Sequence, residues 1–426
     1  MIKKVKKLKN GLKGEITIPA DKSISHRAVM FTSLANGKSI IKNFSDGQDP
    51  KSTLNIFKQL GINCQFTDNQ TLQVISNGTL KKPDKELYCG NSGTTMRLIS
   101  GILAGQNFNS ILTGDESLSS RPMKRIIEPL TLMGAEINST NNHAPIKIFG
   151  KNLNGINYNS PIASAQVKPC ILLAGLNADG VTTVTEPILS RNHTELMLKY
   201  MGADISTNNL TVSVKRSELE PKEISICGDI SSAAYFIAAG LIVPNSDIIL
   251  KNVGLNPTRT GIIDVIQKMG GNIEILSKNQ ISGESVGDLR IKYSELKGCE
   301  IFGDIIPKLI DEIPIIAVIA TQAKGETVIN GASDLRNKES DRIKTTINEL
   351  TKLGANLKEL DDGMIVYGKT KLSGDCEVET YNDHRLAMSL YVAGLICESE
   401  IAINGFEWAG ISFPEFLQKF ELLHSL

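Results

Sequence analysis

The chain has 426 residues, more than one hydrophobic core ordinarily serves, so two domains of roughly 200 residues each are expected. Lys plus Arg and Asp plus Glu both number 46, so there is no net charge. That argues against the broadly basic surface of a nucleic-acid binder and leaves small anions as the guests of any local basic site.

No run of about 18 apolar residues occurs, so no membrane-spanning helix is expected. The lysine-rich start lacks the apolar core of a signal peptide, and a cytoplasmic location is expected. The seven cysteines, Cys64, Cys89, Cys170, Cys227, Cys299, Cys376 and Cys397, are widely spaced without a CxxC pair. They read as buried free thiols of a reducing compartment, with no metal site.

In chain order, the first expected strand lies around Ile16-Thr17-Ile18. Pro19 to Arg27 then carries Asp21 or Ser23 as a cap for a helix running to Leu34. Lys22 and Arg27 sit near that helix start, where the macrodipole disfavours cations unless an anion joins them. The helix gives out at Ala35-Asn36-Gly37, and a second helical stretch stops at Leu60-Gly61-Ile62.

Cys89-Gly90-Asn91-Ser92-Gly93-Thr94-Thr95-Met96-Arg97 follows, a Gly/Ser-rich helix start whose backbone N–H groups can face an anion. Gly114 to Arg125 places Arg121 before Pro122, a residue suited to the first turn of a helix. Ser164-Ala165-Gln166-Val167-Lys168 opens another helix, with hydroxyl, amide and ammonium groups fit for a phosphorylated polyol. In Ser190 to Glu195, His193 reads as a structural or capping histidine. Towards the C-terminus come Asp311-Glu312, then Asp334 to Arg342 and Tyr381-Asn382-Asp383-His384-Arg385. The mixed acids and bases there suit either surface ion pairs or a proton-transfer pair among substrate-binding arginines.

Two markers alternate through these segments. One is an apolar residue, Gly, a small or polar pair, then an apolar residue, around Gly61, Gly134, Gly202, Gly270 and Gly354. Each copy follows a helical stretch and precedes an alternating one, as a helix stopping at a glycine and turning into a strand. The other is a small-residue end to an apolar run, near Ala35, Ala104, Ala174, Ala239, Ala323 and Ala393. Together they mark six units of roughly 70 residues, each with two helices and about four strands.

The last unit lacks its own glycine marker, and the Ile16–Ile18 strand is expected to complete it. The termini then share one domain, residues 1–20 with 229–426, and residues 21–228 form the other. The fold expected is α/β (α+β), two pseudo-threefold domains of three units each. Most of the motifs fall at helix starts, which predicts one anion-seeking face bearing Lys22, Arg27, Arg121, Arg191, Lys338, Arg342 and Arg385, with the balancing acids elsewhere.

Asp-Lys-Ser-Ile-Ser-His-Arg from Asp21, Gly-Asn-Ser-Gly-Thr from Gly90, Ser-Arg-Pro-Met from Ser120, Ser-Ala-Gln from Ser164, Lys-Glu-Ser-Asp-Arg from Lys338 and Asn-Asp-His-Arg from Asn382 resemble, in order, the 5-enolpyruvylshikimate-3-phosphate synthase family. The resemblance implies two domains, each of three βαβαββ units, with the substrate cleft between them. It implies transfer of the enolpyruvyl group of phosphoenolpyruvate to the 5-hydroxyl of shikimate 3-phosphate, by addition and elimination. The family uses no metal or organic cofactor, and its members are usually monomers.

Carried over residue by residue, the resemblance makes Asp311, Glu339 and Lys22 catalytic. Shikimate 3-phosphate falls to Lys22, Ser23, Arg27, Ser164, Ala165, Gln166, Arg191, Asp311 and Lys338. Phosphoenolpyruvate falls to Lys22, Asn91, Gly93, Arg121, Gln166, Arg342 and Arg385. The arginine fork pairs bidentately with carboxylate and phosphate, each charge-assisted bond contributing roughly 1.5–3 kcal/mol.

Ile411 stands before Ser412-Phe413-Pro414 where many members have Lys. Ser164 to Lys168, Arg191 to Glu195 and Asn256-Pro257-Thr258-Arg259 resemble the class II branch, often glyphosate-tolerant. Gly93 and Glu116 stand where tolerant or class II members carry Ala and Lys. A sister transferase acting on a UDP-amino sugar usually has a Cys in the loop that here runs Asp115 to Ser120 without one. A non-catalytic anion-binding protein on the same fold would have no need of Asp311 and Glu339.

Overall fold

The five marker glycines all take the left-handed backbone that stops a helix. Gly61, Gly134, Gly202, Gly270 and Gly354 have φ between 78° and 96°. At Gly134 the glycine N–H donates to the Thr131 carbonyl at 2.9 Å, and the Ala135 N–H reaches back to Leu130 at 2.9 Å. Gly354 and Ala355 repeat the pattern onto Thr351 and Leu350 at 2.9 and 3.0 Å. This paired closure satisfies the last helical carbonyls, and it needs a residue without a Cβ penalty at positive φ.

A computed structural model describes residues 1–424. The chain divides into a terminal unit, Met1–Pro19 with Cys227–Gln280 and Ser285–Leu426, and a central unit, Ala20–Ile226 with Ile281–Glu284. Ile281–Glu284 is the turn between strands Asn279–Ile281 and Glu284–Lys292. It groups with the central unit through a Ser225 N–H bond to Ser282 Oγ at 2.9 Å and a His193–Glu284 pair at 2.7 Å.

The central unit holds three four-stranded sheets of one topology. Their orders are Glu223–Ser225, Asn36–Lys42, Leu72–Asn77, Asn63–Phe66; Leu87–Tyr88, Asn109–Thr113, His143–Phe149, Glu136–Thr140; and Asn157–Asn159, Val181–Thr185, Thr211–Lys215, Ile205–Asn208. In each the first pair is parallel and the others antiparallel. A parallel step needs a crossover. The helices before the second strand of each sheet are α1 (Lys22–Leu34), α2 (Gly93–Ala104) and α3 (Val167–Gly175). All three are buried over most of their length, whereas the second helices, such as Gln48–Gln59, keep an exposed polar side. A Cβ on Gly101 would lie 2.1 Å from the Cys170 carbonyl oxygen, so bare backbone is what lets α2 and α3 touch.

The terminal unit repeats the scheme with α4 (Ile230–Ile242), α5 (Ile313–Thr321) and α6 (His384–Gly394), buried along their whole length. Its sheets include Glu300–Ile301, Gly325–Ile329, Gly363–Gly368, Asn356–Leu360, and the three-stranded Ile2–Val5, Ile401–Asn404, Cys376–Glu379. The expected completion of the last repeat by Ile16–Ile18 is corrected here. Ile2–Val5 completes it, antiparallel to Ile401–Asn404, while Lys13–Thr17 runs parallel to Asp247–Lys251 in another sheet.

The first strand escaped notice because it is lysine-rich and only Val5 of it is buried; Lys4 pairs outside with Glu400 at 3.1 Å. The C-terminal Phe416–His424 helix packs onto α4, where Phe420 stacks on Phe236 at 4.4 Å between ring centroids. Among the described residues no helix is long and apolar enough to cross a membrane. Five cysteines are buried as expected, but Cys299 and Cys376 are half-buried; all seven are free thiols.

Candidate active site

In the central unit the starts of α1, α2 and α3 are tied to one another. Asp21, not Ser23, caps α1 by accepting the Ile24 N–H at 2.8 Å. Lys22 pairs with Asp49 at 3.0 Å. Arg27 is buried, and its guanidinium donates to Thr194 Oγ1 (2.7 Å), to the Ser23 carbonyl (2.9 Å) and to the Ala165 carbonyl (3.0 Å). Burial pulls its pKa down to about 10 against the opposing pull of Glu195 and Asp21. Burial, with Lys22 and Arg27 close by, also holds His26 well below the ordinary imidazole value. His26 starts a buried relay: Nδ1 meets Thr53 Oγ1 at 2.7 Å, Thr53 meets Thr95 at 2.7 Å, and Thr95 donates to the cap Ser92 at 2.7 Å.

Ser92 caps α2 and puts Gly93 at its first position. A Cβ there would stand 3.0 Å from Arg97 Nη1 and 3.6 Å from Arg121 Nη1. Arg121 donates to Asn91 Oδ1 at 2.8 Å and to Ser117 Oγ at 3.2 Å, and Asn91 donates to Asp115 at 2.8 Å. Arg97 donates to Gln166 Oε1, whose amide nitrogen donates to Thr94 Oγ1 at 3.1 Å. Arg97 is thus a site residue that sequence reasoning left without a role; its signal was the helical spacing of four from Gly93. Pro122 does not open the next helix, which begins at Lys124. The Met123 N–H is held by the Asn142 carbonyl at 2.7 Å, which keeps both residues in the turn.

Ser164 turns its hydroxyl to the N–H groups of Gln166 and Val167 at 3.3 and 3.2 Å. Arg191 is half-buried and close enough to Arg27 to disfavour its charge. Lys168, expected among the ligand-facing groups, points the other way. It is buried between Glu186 at 2.8 Å and Glu195 at 2.7 Å. His193 is structural as expected, bonded to Glu284.

The terminal unit gathers Asp311, Lys338, Glu339, Arg342 and Arg385. Asp311 lies 3.5 Å from Lys338, 3.4 Å from Arg342 and 3.9 Å from Arg385. Glu339 lies 2.6 Å from Arg342. Asp383 caps α6 through the Arg385 N–H at 2.9 Å and grips Arg342 with both oxygens, at 2.7 and 3.2 Å. Burial would lift the Asp383 carboxyl, but the Arg342 guanidinium outweighs it and holds the group below the usual carboxylate value. Burial likewise opposes the charge on Arg342 and Arg385; Asp383 and Glu339 reverse this for Arg342, and Asp311, Tyr235 and Glu312 for Arg385, leaving both raised.

Glu312 is buried near Arg259 (3.7 Å) and Arg385 (3.8 Å) and accepts from Ser231, so the starts of α4, α5 and α6 meet here. Asp383, Arg259 and Ser231 complete a cluster that sequence reasoning saw only in part. The acids expected elsewhere stand among the arginines, because a buried guanidinium left without a partner is costly. Ile411 ends the short Phe406–Ile411 turn, half-buried, and its own side chain carries no charge.

Comparison with known proteins fits this geometry. Residues 6–420 match the family model of EPSP synthase (3-phosphoshikimate 1-carboxyvinyltransferase). The chain is 55% identical to the 3-phosphoshikimate 1-carboxyvinyltransferase of Thermodesulfovibrio yellowstonii, over 98% of this chain and 99% of that protein. It is 50% identical to the enzyme of the same name from Geotalea uraniireducens, over 96% of each. Among solved structures it is similar to EPSP synthase from Acinetobacter baumannii, with a TM-score of 0.88, 41% identity and coverage of 99% of this chain and 97% of that one. The enolpyruvyl transferase NikO from Streptomyces tendae shares the fold at a TM-score of 0.81 and 16% identity, covering 99% and 97%. Matched by the family model over residues 6–420 and by relatives at 50–55% identity over nearly its whole length, the chain belongs to the EPSP synthase (3-phosphoshikimate 1-carboxyvinyltransferase) family.

Proposed function

We propose that this protein transfers the enolpyruvyl group of phosphoenolpyruvate to the 5-hydroxyl of shikimate 3-phosphate, releasing phosphate. The observation that carries the reading is the pair of carboxylates, Asp311 and Glu339, on the same arginine, Arg342, in the terminal unit. Buried Asp383 already offsets the charge of Arg342, so the partly exposed Asp311 and Glu339 are more than the burial of that arginine requires. In the addition step the acceptor oxygen bonds to C2 of the enolpyruvyl group while a proton joins C3. In the elimination step a proton leaves C3 and the C2–O bond to phosphate breaks. Asp311 takes the hydroxyl proton, and Glu339 gives and recovers the proton at C3. Each positioned acid or base is worth roughly 10²–10⁴ in rate.

Lys22, Ser23, Arg27, Ser164, Ala165, Gln166, Arg191, Asp311 and Lys338 are the residues assigned to shikimate 3-phosphate. Phosphoenolpyruvate is held by Lys22, Asn91, Gly93, Arg121 and Gln166, with Arg342 and Arg385. The Arg97–Gln166 bond supports Gln166 in this set. The resemblance of Ser164–Lys168, Arg191–Glu195 and Asn256–Arg259 to class II motifs supports a reading in that branch, and the protein is proposed to act as a cytoplasmic monomer. Low-micromolar inhibition by glyphosate, in competition with phosphoenolpyruvate, would exclude the tolerance often found there. The decisive assay is phosphate release from shikimate 3-phosphate and phosphoenolpyruvate. Asp311→Ala and Glu339→Ala are expected to abolish it while shikimate 3-phosphate still binds; unchanged turnover in both would overturn the assignment.

A further inference from the structure

Behind the Ser164 loop lies a buried ionic group with no part in the proposed chemistry. Glu186 follows strand Val181–Thr185 and is buried. One of its oxygens accepts the Ser164 N–H at 2.8 Å. The other accepts the Ser190 N–H at 3.2 Å and the Ser190 hydroxyl at 2.8 Å. Lys168 holds this second oxygen at 2.8 Å, the Ser190 carbonyl at 3.5 Å and Glu195 at 2.7 Å. A single carboxylate therefore spans two loops more than 20 residues apart, and a single ammonium fixes its rotamer. Glu195 is also the first attraction that sustains the charge of buried Arg27, and its neighbour Thr194 accepts from Arg27. Lys168 thus bridges the two buried carboxylates, Glu186 and Glu195.

We infer that Glu186, braced by Lys168, is a positioning residue that sets the spacing between the Ser164–Gln166 loop and the Ser190–Arg191 loop, and so the affinity for the phosphorylated acceptor. The inference rests on the reading that these loops bind shikimate 3-phosphate. The physical reason is pre-organisation. Neither loop belongs to a helix or strand at Ser164 or Ser190. Their backbone N–H groups would otherwise have to be ordered when the ligand arrives, at a cost in affinity. A buried charge also tolerates little displacement, because either partner left alone in the interior is strongly disfavoured.

The test is steady-state kinetics with direct binding of shikimate 3-phosphate to Glu186→Gln and Ser190→Ala. Glu186→Gln is expected to raise both KM and Kd for shikimate 3-phosphate by roughly tenfold or more, the worth of one charge-assisted bond. With the acceptor saturating, kcat should stay within about threefold, and KM for phosphoenolpyruvate, which draws only Gln166 from this loop, should rise clearly less than KM for shikimate 3-phosphate. Ser190→Ala leaves every buried charge paired and should shift the same constants in the same direction by less, which keeps the test open if Glu186→Gln fails to fold. A folded Glu186→Gln protein with unchanged Kd overturns the inference. So does a parallel rise in both KM values, the pattern of a merely structural defect. If the wild type does not bind shikimate 3-phosphate, or Ser164→Ala and Arg191→Ala bind it normally, the functional reading itself has failed.

Discussion

Gly93→Ala separates function from stability by geometry alone. The added Cβ would meet Arg97 Nη1 at 3.0 Å, Arg97 Cζ at 3.6 Å and Arg121 Nη1 at 3.6 Å. The first distance is short by a few tenths of an ångström, so Arg97 must yield. Arg97 Nη1 is the atom bonded to Gln166, so the displacement passes directly to a residue proposed to hold phosphoenolpyruvate. Misaligning one charge-assisted bond forfeits part of roughly 1.5–3 kcal/mol, at most about 10- to 150-fold in affinity. The backbone imposes no opposing penalty, since Gly93 is not among the glycines with positive φ. Alanine is also the better helix former, by up to about 1 kcal/mol. The expected result is a higher KM for phosphoenolpyruvate, measured with shikimate 3-phosphate saturating, and a melting temperature equal to or above that of the wild type. A KM within twofold of wild type would refute the reasoning. A large loss of stability would show that the clash is relieved through the helix and not through Arg97.

Asp383→Asn should cost about 1–3 kcal/mol in urea unfolding, because it takes the charged two-oxygen partner from buried Arg342 while Glu339 and Asp311 still offset part of its charge; a loss below about 0.5 kcal/mol would contradict the assigned role. Protonation acts on the same pair: the Asp383 carboxyl is held low, so its contribution is present above the ordinary value of 3.8 and disappears as pH falls through the lower folded value. His26 acts in a higher window. Its folded pKa lies below 6.5, so below that pH the unfolded chain takes up a proton that the folded chain refuses, and stability falls with acidity by at most about 1.4 kcal/mol per pH unit. His26→Asn keeps a polar atom near Nδ1 and should flatten this slope between pH 7 and 5 in thermal melts. An unchanged slope would mean that His26 is protonated in the folded state.

What the sequence made legible was local. Each Gly marker encodes a helix stop closed within six residues, so five of them revealed the period without any knowledge of packing. The apolar runs of the first helices were legible for the same reason, since each closes on a local small-residue marker such as Ala104 or Ala174. The Ile2–Val5 strand was not, because its pairing with Ile401–Asn404 joins opposite ends of the chain and its exposed lysines mask the alternation. The site divides similarly. Arginines and lysines in Gly/Ser-rich loops announced themselves by residue type. Arg97 acquires its meaning from Gln166, 69 residues away, and Asp383 from Arg342, 41 residues away. Lys168 was misread because a lysine in the first turn of a helix looks ligand-facing until Glu186 and Glu195 are known to enclose it.

The placement of acids carries the last step. The terminal unit sets Asp229, Asp311, Glu312, Glu339 and Asp383 against Arg259, Lys338, Arg342 and Arg385, so its cluster has no cationic excess to attract an anion at long range. Recognition there must come from short, directed guanidinium bonds, which survive screening better than a diffuse field does. The three carboxylates on Arg342 then differ by exposure. The Asp383 side chain is 0% exposed and shares its oxygens with Arg342, Ser340 and the Arg385 N–H. It can orient the arginine but cannot meet a substrate. The Asp311 and Glu339 side chains are 14% and 19% exposed, and of the three only these can reach a reacting group. Removing the buried acid should therefore lower stability and activity together, whereas removing either partly exposed acid should stop turnover in a protein that still folds.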